Sequence, residues 1–360
     1  MSQSAVAAPR PGVGGVPILV VRDGACRNLP ARGPFPGQDD RAALARTVAA
    51  ALAAERAGFD DVWVAEHHFM SYGVVPSAIT LAGHLLGLTR RVEVGTAVSV
   101  LSSRHPVALA EEAALLRLVS GGRFRLGVGR GGPWRELEVF GTGTARYERG
   151  LAESLDLLLS WLDGRDRLGW HGEFFRFRDV PVVPRLEAPP PAVVACTSPS
   201  TERLAAARGL PMLLGMHVGD EEKAAAIARY EAAGGPPGAP HVSAHLAQVA
   251  GGRDEAVDLL RREMPRWLGP GLDGYVPVDD RPRPQRDPAA YTRHLCRLHP
   301  VGSPADCAGT MVETVRRTGI RHLILLVEAS GSDAATLRNI DRLGREVLPA
   351  VRAAAADGER

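Results

Sequence analysis

Asp61-Val62-Trp63-Val64-Ala65-Glu66-His67-His68-Phe69 runs from an apolar strand into a carboxylate and two histidines. Side chains alternate along an extended chain, so Glu66 and His68 share one side and His67 takes the other. One histidine is then available to a site while the flanking pair anchors it. The competing reading is a hydrogen-bonded histidine pair at a strand end, with no chemistry of its own. If the strand belongs to a parallel barrel, its C-terminal end lies on the face where such barrels carry out reactions.

Working outward, short β-rich runs alternate with helical patterns. Strands are expected at 16–21, 61–65, 92–98, 124–128, 193–196, 212–215, 242–249 and 322–328. Helices are expected at 41–57, 76–88, 146–162, 201–208, 220–233, 254–267, 304–318 and 334–351, with one more opened by His105-Pro106 and closed at Gly121. In the first helix Leu44, Val48 and Leu52 supply an apolar face and Gly58 the stop. The aromatic segment 169–183 reads as a β-hairpin excursion. Residues 269–300 are dense in Pro, Gly, Asp and Arg, which predicts a lid or disordered insertion. Eight strands separated by helices predict an α/β chain: one (β/α)8 TIM barrel with insertions over 16–352, between flexible tails at 1–15 and 353–360.

Composition narrows the function classes. A chain of 360 residues, 45% hydrophobic and 23% charged, has room for a large core. Its 43 basic and 41 acidic side chains leave a formal charge of +2, spread along the chain, so nucleic acid is not indicated. No apolar run reaches the length of a signal peptide core or a membrane span, so a cytoplasmic protein without membrane association is expected. Cys26, Cys196, Cys296 and Cys307 form no CxxC pair and read as reduced thiols. Without HxH or HExxH, a metal-dependent hydrolase is disfavoured and no metal is expected.

Gly127-Val128-Gly129-Arg130-Gly131-Gly132 satisfies GxGxxG after a strand. A dinucleotide-binding turn would start a helix on the glycines, whereas Pro133-Trp134 and a loop to about residue 146 intervene. The preferred reading is a strand end where small residues admit a flat ring and Arg130 supplies charge. A Gly-rich turn with a solvated arginine is the alternative.

The blocks AERAGFDDVWVAEHHFMSYG, VGTAVSVLSSRHPVALAEEAALLRLVSGGRFRLGVGRG, EVFG, ARGLPMLL and VGSPADC with LLVEASG resemble the bacterial luciferase-like flavin monooxygenases, in family order and over roughly 16–352. The resemblance implies a TIM barrel with a mobile loop near its C-terminal end. It places His67 at the catalytic histidine that assists proton transfer beside the flavin, work suited to a pKa near 6.5. Arg130 matches an arginine that binds the flavin phosphate, and Arg146 a second, with Arg149 one helical turn on as the alternative. Thr197 and Ser198 match a phosphate cradle ahead of a helix N-terminus, where simple capping is the competing reading. Ala97-Val98 matches a non-proline cis peptide against the flavin ring. Gly129 stands where light-emitting relatives can carry a reactive cysteine. Glu66, His68, Tyr72, His105 and Trp134 are assigned to the substrate pocket, although His105 reads equally as a helix start and Tyr72 and Trp134 as packing.

The implied activity is oxygenation of an organic substrate through a flavin C4a-peroxide. Reduced FMN would come from a separate NAD(P)H:flavin reductase. The substrate would be a small molecule, free or carrier-bound, and the assembly a homodimer using the helices after the second and third strands. Two alternatives stay open: a deazaflavin-dependent oxidoreductase of the same fold, transferring hydride without oxygen, and a non-catalytic flavin-binding partner subunit.

Overall fold

Strands buried on both faces are apolar throughout, and here that pattern builds a closed wall. The computed structural model describes residues 14–19, 40–69, 73–131, 134–274 and 287–357, with the side chains of 14–19, 134, 270–274 and 355–357 outside the description. Eight parallel strands follow in chain order: Gly14–Leu19, Asp61–Val64, Glu93–Thr96, Phe124–Gly129, Ala192–Cys196, Met212–Leu214, Val242–Leu246 and His322–Leu326. Each pairs with the next. The first pairs with the eighth from Gly14 opposite His322 to Ile18 opposite Leu326, so the sheet closes into the TIM barrel the alternation predicts.

The second strand shows how side chains dictate neighbours. Val62, Trp63 and Val64 are fully buried. A Cβ on Gly95, in the next strand, would stand 2.6 to 2.9 Å from three atoms of the Trp63 ring. Only glycine lets the third strand lie beside that indole. The predicted hairpin is present as Arg167–His171 paired antiparallel with Arg176–Pro181.

Three expectations change. The Asp40–Arg56 helix buries Ala43, Thr47, Ala50, Ala51 and Ala54 with Arg46, while Leu44 is exposed and Val48 and Leu52 are half-buried. Small side chains bring the helix close to the barrel, and the leucines fall on its flank. The expected lid at 269–300 is helical at both ends: Arg253–Gly274 carries on through Gly269, and Pro288–Leu298 forms a separate helix. Asp287 opens the latter, its carboxylate accepting from the N–H groups of Ala289 at 3.2 Å and Ala290 at 2.9 Å. Residues 275–286 lie outside the description. At the C-terminus Asp333–Arg342, a π-helical turn Leu343–Val347 and Leu348–Asp357 replace the tail expected from 353, and the first strand begins at Gly14 rather than 16. Arg352 fixes that last helix by donating to Gly58 O and Asp60 Oδ2, each at 2.9 Å.

Candidate active site

The strand ends converge at the C-terminal rim. Glu66, two residues past the second strand, has a completely buried side chain. Its Oε2 accepts from the Ala78 N–H at 3.0 Å, at the start of the Ala78–Leu88 helix, and its Oε1 from the Val100 N–H at 3.1 Å. His68 Nε2 lies 3.4 Å from Oε1 and Arg104 Nη1 3.6 Å from Oε2. One carboxylate thus ties a helix start, the two-residue strand Ser99–Val100 and a histidine together. His67, between the two buried residues, is half-buried, and its backbone N–H donates to Val75 O at 2.9 Å. Glu66 and His68 pack against each other, as the alternation predicts for that pair. The His68 ring meets Phe140 edge-on at 5.0 Å.

The Ala97–Val98 peptide is cis. A Cβ on Gly129 would stand 2.7 Å from Val98 Cγ2 and 3.4 Å from Ala195 Cβ, so the segment just past the third strand and the fourth and fifth strands meet at this glycine and leave no room for a cysteine. Arg130 stacks on the Tyr147 ring at 4.5 Å. One residue earlier on the Gly143–Leu162 helix, Arg146 donates from Nη2 to Leu101 O at 2.9 Å and to Arg104 O. Its guanidinium lies 4.8 Å from the Phe175 ring, and its buried Nε has no partner among the described residues. Arg149 is exposed and paired with Glu173. Of the two candidates, Arg146 turns into the rim and Arg149 outward.

His105 Nδ1 accepts from the Val107 N–H at 3.2 Å and caps the Pro106–Val119 helix. Burial, with the Arg146 charge beside it, pushes its pKa below the usual histidine value. This is the helix-start geometry. Thr197 and Ser198 precede the Pro199–Ala206 helix, and both of their N–H groups donate to Thr201 Oγ1 at 3.3 Å. Ser198 Oγ accepts from the Thr201 N–H at 3.4 Å, which completes a capping box. Tyr72 and the Trp134 side chain lie outside the described residues.

Two residues that the sequence did not single out belong to this cluster. Glu136, on the short Trp134–Val139 helix, is 3% exposed, and its Oε2 has no partner among the described residues. Ser102 Oγ is likewise buried and unpartnered. Nothing local separates the buried Glu136 from the exposed Glu138; only packing does.

Comparison with known proteins decides the family. The luciferase-like monooxygenase model matches residues 28–322. The chain belongs to this family. It is 27% identical over 344 residues to the alkanal monooxygenase alpha chain of the Kryptophanaron alfredi symbiont, covering 87% of this chain and 94% of that one. Among solved structures, the monooxygenase RslO1 from Streptomyces bottropensis superposes with a TM-score of 0.78 at 20% identity, covering 93% of this chain and 99% of that one. The oxygenating constituent of the 3,6-diketocamphane monooxygenase of Pseudomonas putida, in complex with FMN, gives 0.71 at 19% identity, covering 93% and 97%. An F420-dependent secondary alcohol dehydrogenase gives 0.67 at 20% identity, covering 86% and 95%. At these identities the structures establish the shared barrel. Among the described residues, no helix of this luciferase-like chain is long and apolar enough to cross a membrane.

Proposed function

We propose that this luciferase-like protein is an FMN-dependent monooxygenase that takes reduced flavin from a separate NAD(P)H:flavin reductase and oxygenates a small organic molecule. The observation that carries the reading is Arg146, half-buried at the rim with an unpartnered Nε, on the same helix turn as the Tyr147 ring that supports Arg130. Two guanidiniums on one rim suit a dianionic phosphate, while the Thr197 and Ser198 amides are taken up by Thr201 in the helix cap. The half-buried Ala97 and Val98, with Gly129 packed beneath Val98, would offer an apolar surface to an isoalloxazine ring. The residues present therefore fit FMN. The diketocamphane enzyme, solved with FMN, supports this choice, while the F420-dependent neighbour supports a deazaflavin as the second reading.

Bound reduced FMN would supply the electrons that activate oxygen. The protein's share is to bind, orient, shield and manage protons. Arg130 and Arg146 would hold the phosphate, and the Ala97–Val98 and Gly129 surface would set the ring plane. Glu66 fixes the loop that carries His67 through its bonds to Ala78 and Val100. The half-buried His67 would be the group that exchanges a proton with the reacting face. Leu115, Leu118 and Val119, exposed at i, i+3 and i+4 on the Pro106–Val119 helix, together with Leu88 support a homodimer through this side of the barrel.

The test is anaerobic binding of reduced FMN followed by rapid mixing with oxygen. Wild type should give a transient absorbance distinct from reduced and oxidised flavin, and His67→Ala should change its decay by about tenfold or more. Tight binding of a reduced deazaflavin with no oxygen-dependent transient would replace the monooxygenase reading with the second one.

A further inference from the structure

The tip of the hairpin, between the strands Arg167–His171 and Arg176–Pro181, turns its backbone toward one carboxylate. Glu153 Oε2 accepts from the N–H groups of Glu173 and Phe174, and Oε1 from the Phe175 N–H and Trp170 Nε1, each at 3.0 Å. A carboxylate has about four acceptor positions, so all of them are used here. Burial works to raise the pKa of Glu153, but these donors bring it below the usual carboxylate value, so the group stays ionised. A Cβ on Gly172 would collide with Oε1, so the tip closes on the carboxylate only with glycine there. Apolar burial gives the returning strand little hold, since every residue of Arg176–Pro181 except Phe177 is exposed.

The anchored tip reaches the two arginines at the rim. Phe175 is buried; the Arg146 guanidinium lies 4.8 Å from its ring, and the His105 imidazole meets that ring edge-on at 5.0 Å. Arg149 instead lies 5.7 Å from the Phe174 ring and pairs with Glu173. Neighbouring tip residues therefore sort the arginines, one inward and one outward. Arg146 Nη2 is held by Leu101 O and Arg104 O, and the Phe175 ring restricts how the rest of the guanidinium can turn. Arg146 and Glu153 lie seven residues apart, on one face of the Gly143–Leu162 helix. The carboxylate that fixes the tip and the arginine that the tip supports thus belong to one rigid element.

We propose that Glu153 is a positioning residue for flavin binding: it pins the hairpin tip so that the Phe175 ring holds the Arg146 guanidinium ready for the flavin phosphate. The hairpin, an excursion from the barrel, is then part of the cofactor site. The proposal rests on the reading of Arg146 as a phosphate ligand. Glu153→Gln would turn an amide N–H2 toward N–H donors and release the tip, and Phe175→Leu would keep the tip but remove the ring face. Phe175→Tyr keeps the face.

Anaerobic equilibrium dialysis against reduced FMN and, separately, reduced riboflavin tests it without any substrate. The two ligands differ only in the phosphate, so the ratio of their affinities reports the phosphate site and a general loss of structure does not move it. Wild type should hold FMN about tenfold or more tighter than riboflavin. Glu153→Gln and Phe175→Leu should each lower that ratio by about fivefold or more, with riboflavin affinity near that of wild type, and Phe175→Tyr should restore the ratio. A ratio unchanged in Glu153→Gln and Phe175→Leu, or an equal loss of both flavins, overturns the proposal while leaving the phosphate reading in place. A wild type that binds FMN and riboflavin alike overturns both.

Discussion

At Gly95 a single missing carbon decides how two strands meet. Gly95→Ala would drive a methyl into the Trp63 ring, whose atoms lie 2.6 to 2.9 Å from that position. The ring is walled in by the barrel, so we expect a loss of about 1–3 kcal/mol, measured by urea unfolding. Glu136 makes a prediction of opposite sign. Its folded value of about 7 lies above the ordinary 4.5, so the native state holds the proton more tightly than the unfolded chain. Its contribution is present below about pH 4.5 and is lost as pH rises through about 7. Glu136→Gln should therefore raise the melting temperature relative to wild type at about pH 8 and lose that advantage near about pH 5. A constant difference across that range would contradict the assignment.

The helix that returns from the insertion is held by histidines. His299 Nε2 donates to Met216 O at 2.7 Å, which leaves its Nδ1 to accept from His245 Nδ1 at 3.2 Å. His245 Nε2 then accepts from Ser243 Oγ at 2.8 Å, with Lys223 Nζ at 3.5 Å. This one-way chain requires both imidazoles neutral. Burial, then the Lys223 charge, pushes His299 down to about 3, and burial pushes His241 down to about 4. Both lie below the unfolded value, so the stability they carry is complete above about pH 6.5 and is lost as pH falls toward about 3. Melting temperature should decline steeply between about pH 6 and about pH 4, and His299→Ala should make that decline shallower while lowering stability near neutrality by about 1–3 kcal/mol.

At this scale the sequence is informative wherever an element is buried on a regular period. The strand at Asp61–Val64 and the helix opened by His105-Pro106 stand where apolar runs and a proline at a helix start put them. The Asp40–Arg56 helix misleads because its leucines are not the packed face; alanine is an ambiguous signal until a neighbour is known. Asp287-Pro288 is a cap hidden in a Pro- and Arg-rich stretch. Of the site, the histidine loop, the cis peptide and Gly129 are legible from motif order. Glu136 and Ser102 are not, since only packing by segments far away in sequence buries them.

Across the whole molecule, the exposed Leu115, Leu118 and Val119 give the outer ring one apolar side. If that side joins two copies, Leu118→Glu should halve the mass seen by sedimentation while leaving the melting temperature of the monomer within a few degrees. An unchanged mass would place the interface elsewhere. Barrel closure has its own consequence during synthesis. The strand at Gly14–Leu19 emerges from the ribosome first, yet one of its two neighbours, His322–Leu326, emerges some 300 residues later. Until then the nascent chain carries two bare sheet edges that invite pairing with other chains. Chaperone dependence should therefore concentrate in the last stage of translation, and a chain stopped before His322 should aggregate rather than fold with a smaller barrel.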